Sequence, residues 1–169
     1  MTIPQSAILP EAGPFAQYTL LKVTQEPAAV LEQLQALPTL VEELNQQQPG
    51  AELTLSVAFS KSFWSKCDAA MPDELIDFPQ LGEGSTLAPS SDVDVLIHCH
   101  SNRHDLHFYL LRTFFAQASD NVVVVDETYG YRYLDSRDMT DFVDGTENPK
   151  DSQRHEVAII PQGELAGGS

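Results

Sequence analysis

The stretch MTDFVDGTENPKD, residues 139–151, joins a carboxylate to residue types that fix a bend. Asp144 is followed by Gly145, which adopts a positive φ freely, and Asn148 is pushed toward an extended conformation by the proline after it. Successive backbone N–H groups around Gly145 and Thr146 are able to form a concavity that holds an anion. The pattern predicts a loop of fixed course, which is either a plain turn or a carboxylate held in place for chemistry. The residue types by themselves favour the turn.

Two other groups of residues are of the types that bind metals, but neither predicts a metal site. Two histidines lie on one face of a predicted strand and two more are spaced by three on the helix after it: His98, His100, His104 and His107. A tight turn between the two elements points the pairs in different directions, so we expect surface or subunit-contact histidines. Carboxylates recur at every third position of a later segment: Asp135, Asp138, Asp141, Asp144 and Glu147. This spacing lacks the alternate oxygens and central glycine of an EF-hand loop, so solvated loop charge is expected.

The composition limits the partners of the chain. Its 169 residues suffice for one domain with a real core, and its formal net charge is −16. Such an acidic surface repels phosphate backbones and anionic lipid, so binding to nucleic acid or a membrane surface is not expected. Cys67 and Cys99 form no zinc or disulfide pattern, and the N-terminus has neither the basic nor the apolar region of a secretory signal. We therefore expect a cytoplasmic protein.

Hydrophobic periodicity predicts the elements that position the loop. Strands are predicted over 15–24, 52–59, 92–100 and 121–133, and helices over 26–50 and 102–118. Pro38 predicts a kink or two short helices in series within the first helix, and Ser101 or Asn102 is the predicted cap of the second. The connection 60–91 is long and lacks a period, which is typical of a functional or partner-facing loop. The order predicts an α+β fold, a ferredoxin-like βαββαβ sandwich with an antiparallel sheet and both helices on one face.

The run YGYRYLDSRDMTDFVDGTENP, residues 129–149, resembles the haem-loop signature of the dye-decolourising (DyP-type) haem peroxidases, in which G-x-x-D-G is followed by T-x-N-P. FSKSFWSKC (59–67) resembles the segment after the second strand of this family. DVLIHCHSNRHDLHFYL (94–110) resembles its third strand and second helix, which accounts for the histidines without a metal. The first glycine of the motif is Asp141 here, and aspartate tolerates a positive φ at modest cost but crowds a close ligand.

The resemblance implies a peroxidase that uses hydrogen peroxide to oxidise dyes and phenolic compounds at haem b. It makes Asp144 the distal acid/base and assigns haem contact to four loop residues: Asp144, Gly145, Thr146 and Glu147. In the family a second ferredoxin-like domain carries the proximal histidine and the distal arginine, and neither has a counterpart in this chain. His155 lies too early to be the iron ligand. The chain is therefore expected to be an N-terminal half that is inactive alone.

The expected organisation has three parts. Residues 1–12 are a leader, 13–136 an N-terminal ferredoxin-like domain, and 137–169 the haem loop with a linker to a second domain that the chain lacks. The expected partners are hydrogen peroxide, an organic reductant and further copies in a homo-oligomer. A second hypothesis, of a different class, is a non-catalytic ferredoxin-like module that dimerises or binds a small ligand, since an isolated half leaves surface uncovered.

Overall fold

The structure is a computed structural model that describes residues 3–143, 145–163 and 166–168. Its ten elements, in chain order, are β1 (Phe15–Val23), α1 (Pro27–Gln47), β2 (Thr54–Phe59), α2 (Lys61–Trp64), β3 (Leu81–Glu83), β4 (Thr86–Ala88), β5 (Val95–Ser101), α3 (His104–Ala118), β6 (Val122–Tyr131) and α4 (Ser152–Ala158). All four predicted strands and both predicted helices are present. The small hairpin β3–β4 and the helices α2 and α4 were not predicted.

The main sheet has the strand order β2-β5-β1-β6, and each neighbouring pair is antiparallel. Gln17 of β1, Leu55 of β2 and Cys99 of β5 lie in register and share the face that α1 and α3 cover. The two helices pack against each other above this face. This arrangement confirms the ferredoxin-like α+β sandwich.

The buried face of α1 is the one that its periodicity predicts: Val30, Leu34, Leu37, Val41 and Leu44. The helix continues through Pro38 as one element, so the alternative of two short helices is wrong, and the alternative of a kink stays a prediction. The reason is that the apolar stripe on both sides of the proline packs into one core, which holds the two segments together as one helix. The predicted cap of α3 is also wrong, because the helix begins after Arg103 without a side-chain cap.

The long connection after β2 has two different parts. Phe63 of α2 is fully buried and fixes the start of the connection to the core. Residues 76–92 are exposed throughout and include the β3–β4 hairpin. A two-stranded hairpin by itself is marginally stable in water. The prediction that this segment faces a partner stays a prediction.

Asp94 is a fully buried carboxylate that joins three parts of the fold. It accepts hydrogen bonds from the Val23 backbone N–H at 2.9 Å and from the Ser62 hydroxyl at 3.1 Å, and Lys22 Nζ lies 3.5 Å away. Burial raises the pKa of this carboxyl, but the hydrogen bonds and the lysine outweigh it, so the pKa is lowered. The charge therefore stabilises the junction of β1, α2 and β5.

The first residues form an ordered segment that we call the N-terminal strap (residues 3–14). The side-chain amide of Gln5 accepts from the Val57 N–H at 2.7 Å and donates to the Val57 carbonyl at 3.0 Å. The Ser6 hydroxyl bonds to both backbone groups of Leu55 in the same way. These side chains satisfy the outer edge of β2, which would otherwise be open to pairing. Within the described residues, no helix has the length and apolar character of a membrane span.

Candidate functional site

An open cleft of about 730 Å³ lies between the N-terminal strap, the ends of β1 and β6, and the segment that leads into α4. Its walls include strap residues 8–14, the β6 end from Gly130 to Tyr133, and residues of α4. Gly145 and Asn148 of the DGTEN stretch also line it. The fold thus brings Gly145 and Asn148 of the loop that the sequence singles out to the wall of this cleft.

The predicted site residues divide into three groups. Asp144 lies outside the described residues. Gly145 is half-buried in the cleft wall with φ 72°, which confirms the predicted positive φ, and its carbonyl accepts from the Asn148 N–H at 3.1 Å. Thr146 and Glu147 are exposed and do not line the cleft. Their assignment to haem contact stays a prediction.

The segment before the DGTEN stretch is ordered by one arginine. Arg137 donates to the Asp135 carboxylate at 2.6 and 3.2 Å and to the Asp141 carbonyl at 2.8 Å. Asp141 has φ 68°, the left-handed backbone that glycine adopts freely and aspartate adopts at modest cost. Asp138 accepts from the Thr140 hydroxyl and N–H, and these bonds lower the pKa of its carboxyl. The segment is therefore a set of defined turns.

The charge of the cleft is opposite to that of the chain. Among the described residues the lining contains four of the nine lysines and arginines, but only one acid, Glu11, of the 25 acidic residues. The four cations are Arg132, Arg137, Lys150 and Arg154. Arg137 and Arg154 are paired with the carboxylates of Asp135 and Glu11, so Arg132 and Lys150 supply the local positive charge that gives the cleft a preference for anionic groups.

Two of these arginines also hold the walls together. Arg154 of α4 donates to the Leu9 carbonyl at 3.3 Å and to the Glu11 carboxylate at 2.6 Å, which ties α4 to the N-terminal strap. Arg132, just after β6, donates from its side chain to the Ala12 carbonyl at 2.8 Å. No local sequence pattern indicates these roles, since the partners are 120 to 145 positions apart in the chain.

Surface or subunit-contact positions were expected for all four histidines, and this expectation is wrong for two of them. His100 is 3% exposed and His107 is fully buried. The reason is that the N-terminal strap covers His100, with the Gly13 N–H bonded to its ring, and that His107 lies on the inward side of α3. His98 stacks on Tyr18 with ring centroids 4.4 Å apart. Within the described part of the chain, no three histidine, cysteine or acidic side chains come together as a metal site.

Comparison with known families identifies the class of the chain. Residues 5–132 match the family "Dyp-type peroxidase, N-terminal", and residues 135–169 match "Dyp-type peroxidase, C-terminal". Together these matches cover nearly the whole chain. The chain belongs to the DyP-type peroxidase family.

Individual relatives agree with this family. A dye-decolorizing peroxidase from Brevibacterium linens is 40% identical over 113 residues, which are 66% of this chain and 30% of that protein. The structure of a dye-decolorizing protein from V. cholerae is 67% identical with a TM-score of 0.93, and the match covers 96% of this chain and 55% of that one. A DypB variant from Rhodococcus jostii RHA1 in complex with heme is 29% identical with a TM-score of 0.82, covering 96% and 53%. The chain thus spans about a third of the curated relatives and about half of the solved ones.

Proposed function

We propose that this chain is the distal half of a haem-dependent peroxidase that uses hydrogen peroxide to oxidise dyes and phenolic compounds. The observation that carries the proposal is the family match, combined with the position of the DGTEN stretch at a cationic cleft. The relative from Rhodococcus jostii RHA1 was solved in complex with heme, which supports haem b as the cofactor of this chain as well.

The cleft fits a haem group in size and in charge. Its volume of about 730 Å³ falls within the usual range of cofactor sites, roughly 300–1,000 Å³. Arg132 and Lys150 are candidates to hold the two carboxylates of haem b, because arginine and lysine pair with such groups. No histidine, cysteine or methionine is among the described lining residues, so we assign the iron ligand to the half of the protein that the relatives have in addition.

Haem supplies the redox chemistry when it is bound, and the chain supplies the proton carrier. Asp144, ionised when peroxide arrives, would accept a proton from one peroxide oxygen and deliver it to the other. The O–O bond would then break with two electrons that the haem supplies, so that the second oxygen leaves as water. A positioned acid/base of this kind contributes about 10²–10⁴ to the rate. Gly145 has the positive φ of the turn that follows Asp144 in the sequence, and the Asn148 N–H donates to the Gly145 carbonyl across this turn. Gly145, Thr146 and Glu147 are the proposed contacts along the haem edge.

The test is Asp144→Asn in the complete protein, meaning this chain together with a second half like that of its relatives. We expect the Soret band to be retained while peroxide turnover falls by about 10²–10⁴. Asp141→Asn is the matched control, since it removes a carboxylate of the same loop and asparagine tolerates the left-handed backbone there. Turnover in Asp144→Asn that equals the turnover of the control would remove Asp144 from its role.

Exposed apolar side chains before the DGTEN stretch support a further unit on this surface. Leu134, Met139 and Phe142 are 66%, 85% and 75% exposed. The non-catalytic module remains the alternative, and titration of the 169-residue chain with haem separates the two. We expect weak binding without fixed stoichiometry, because the proposed ligand lies elsewhere. Tight one-to-one binding would contradict the assignment of the ligand to the other half.

We further propose that the complete protein is a cytoplasmic homo-oligomer. An encapsulated DyP-type peroxidase from Mycobacterium smegmatis, 29% identical with a TM-score of 0.83, supports an assembled state. Sedimentation of the complete protein tests this, and a single species with the mass of a monomer would refute it.

A further inference from the structure

The N-terminal strap is attached to the sheet by a buried histidine. The ring of His100 lies at the end of β5, and its Nδ1 accepts a hydrogen bond from the Gly13 N–H at 3.2 Å. The side chain is 3% exposed. At Gly13 the strap runs so close to β5 that an added Cβ would lie 2.4 Å from the Ser101 carbonyl oxygen. The backbone of the strap is therefore in close contact with β5 at Gly13, and His100 is the side chain that hydrogen-bonds to the strap there.

We propose that His100 is a positioning residue that holds residues 8–14 of the N-terminal strap as a wall of the cleft only while its ring is neutral, so that acid releases this part of the strap while Gln5 and Ser6 stay bonded to β2. The mechanism is the reversal of one hydrogen bond. A neutral ring has a lone pair on Nδ1 that accepts from Gly13, whereas a protonated ring has a hydrogen there that opposes the Gly13 N–H. Protonation thus replaces an attraction by a repulsion between two donors.

The surroundings of the ring favour the neutral form. Burial lowers the pKa of His100, and the backbone of Ala7, which also belongs to the strap, raises it to a smaller extent. The partners of His100 in register are Ala16 of β1 and Thr54 of β2, and neither is charged. The titratable neighbour on β5 is His98, with ring centroids 5.8 Å apart, and its own pKa is lowered by burial and by the charge on His100. His107 of α3 is the titratable group from the helical layer, and the charge on His100 also lowers its pKa.

Release of the strap reaches the cleft through the two arginines. The strap supplies the Leu9 carbonyl and the Glu11 carboxylate that hold Arg154, and the Ala12 carbonyl that holds Arg132. When this part of the strap leaves, α4 loses its tie to the strap and both guanidinium groups lose partners. The inference rests on the proposed function in one respect, namely that the cleft which acid opens is a cofactor site. The release itself concerns the strap, whatever the cleft binds.

Hydrogen exchange of the strap at pH 7.5 and pH 5.5, expressed as protection factors to remove the intrinsic pH dependence, tests the proposal. The population of the released strap increases by up to about tenfold from pH 7.5 to pH 5.5. The reason is that the pKa of His100 is ordinary when the strap is released and lower when the strap is bound. We expect the protection of the strap in the natural chain to fall by about that factor, while the inner strands β1 and β5 stay protected.

Two variants assign the effect to the ring. In His100→Gln the side-chain oxygen still accepts a hydrogen bond but no longer titrates, so strap protection is expected to be the same at both pH values. His98→Gln is the matched control, and it should keep the fall seen in the natural chain. If His100→Gln fails to seat the strap at either pH, the natural chain and the control still decide the question. A natural strap that shows no fall, or a fall that disappears in His98→Gln, would overturn the proposal. Haem is absent from this assay, so its outcome is independent of the proposed peroxidase activity.

Discussion

The buried ring of His107 predicts a loss of stability in acid. The Ser101 hydroxyl donates to the Arg103 carbonyl at 2.7 Å, so its hydrogen is already used. The ring therefore donates from Nε2 to the Ser101 oxygen at 2.8 Å, and Nδ1 carries a bare lone pair. That Nδ1 is buried and has no hydrogen-bond partner among the described residues. A second proton on the ring would have nothing to bond to.

The size of the effect follows from the pKa. Burial, together with the neighbouring histidines, lowers the pKa of His107 from 6.5 to about 4. Between pH 6.5 and pH 4 the unfolded chain binds a proton at His107 more readily than the folded chain does. The contribution of this residue to stability is therefore complete above the pKa of the unfolded chain, and it is lost as the pH falls toward the pKa of the folded chain. At about 1.4 kcal/mol per pH unit, the free energy of unfolding decreases by about 2 kcal/mol between pH 8 and pH 5 through this one residue.

Urea unfolding over this pH range, compared with His107→Gln, measures the contribution. Glutamine keeps a donor for Ser101 but does not titrate, so the natural chain should lose about 2 kcal/mol more than the variant between pH 8 and pH 5. His155→Gln, at an exposed position on α4, is the control and should behave as the natural chain does. Equal losses in the natural chain and in His107→Gln would refute the argument, because the ring would then titrate alike in both states.

Two further predictions compare matched substitutions, each by thermal or urea unfolding. Asp94→Ala leaves the buried donors of the carboxylate without a partner and should lower the free energy of unfolding by about 3 kcal/mol. Asp92→Ala removes only an exposed partner of the same lysine and should lower it by less than about 0.5 kcal/mol. Similar losses at both sites would show that burial is not the cause. Gly145→Ala should cost more than Gly50→Ala, since both glycines have positive φ but only the Cβ at position 145 would meet another group, the Asn148 amide at 2.7 Å. Equal costs would mean that this contact relaxes freely.

The strands β1, β2 and β5 and the two long helices were predictable because their burial has a period. Leu53, Leu55 and Val57 alternate, and the α1 stripe steps by three and four, as a half-buried strand and an amphipathic helix require. The errors fall where local signals compete with packing. Proline disfavours the interior of a helix, but core residues on both sides of Pro38 hold α1 together as one helix. The helix α4 was missed because its seven residues include no buried side chain that could reveal a period.

The sequence alone determined the order of the four main strands and the two long helices, the acidity of the surface and the turn at Gly145, because each depends on neighbouring residues or on composition. The tertiary structure decided which residues form the cleft, that four cations gather there against the net charge, and that His100 is bound to the strap. These are contacts between residues about 90 to 145 positions apart. A local pattern encodes which face of an element is buried, but it does not encode which distant segment covers that face.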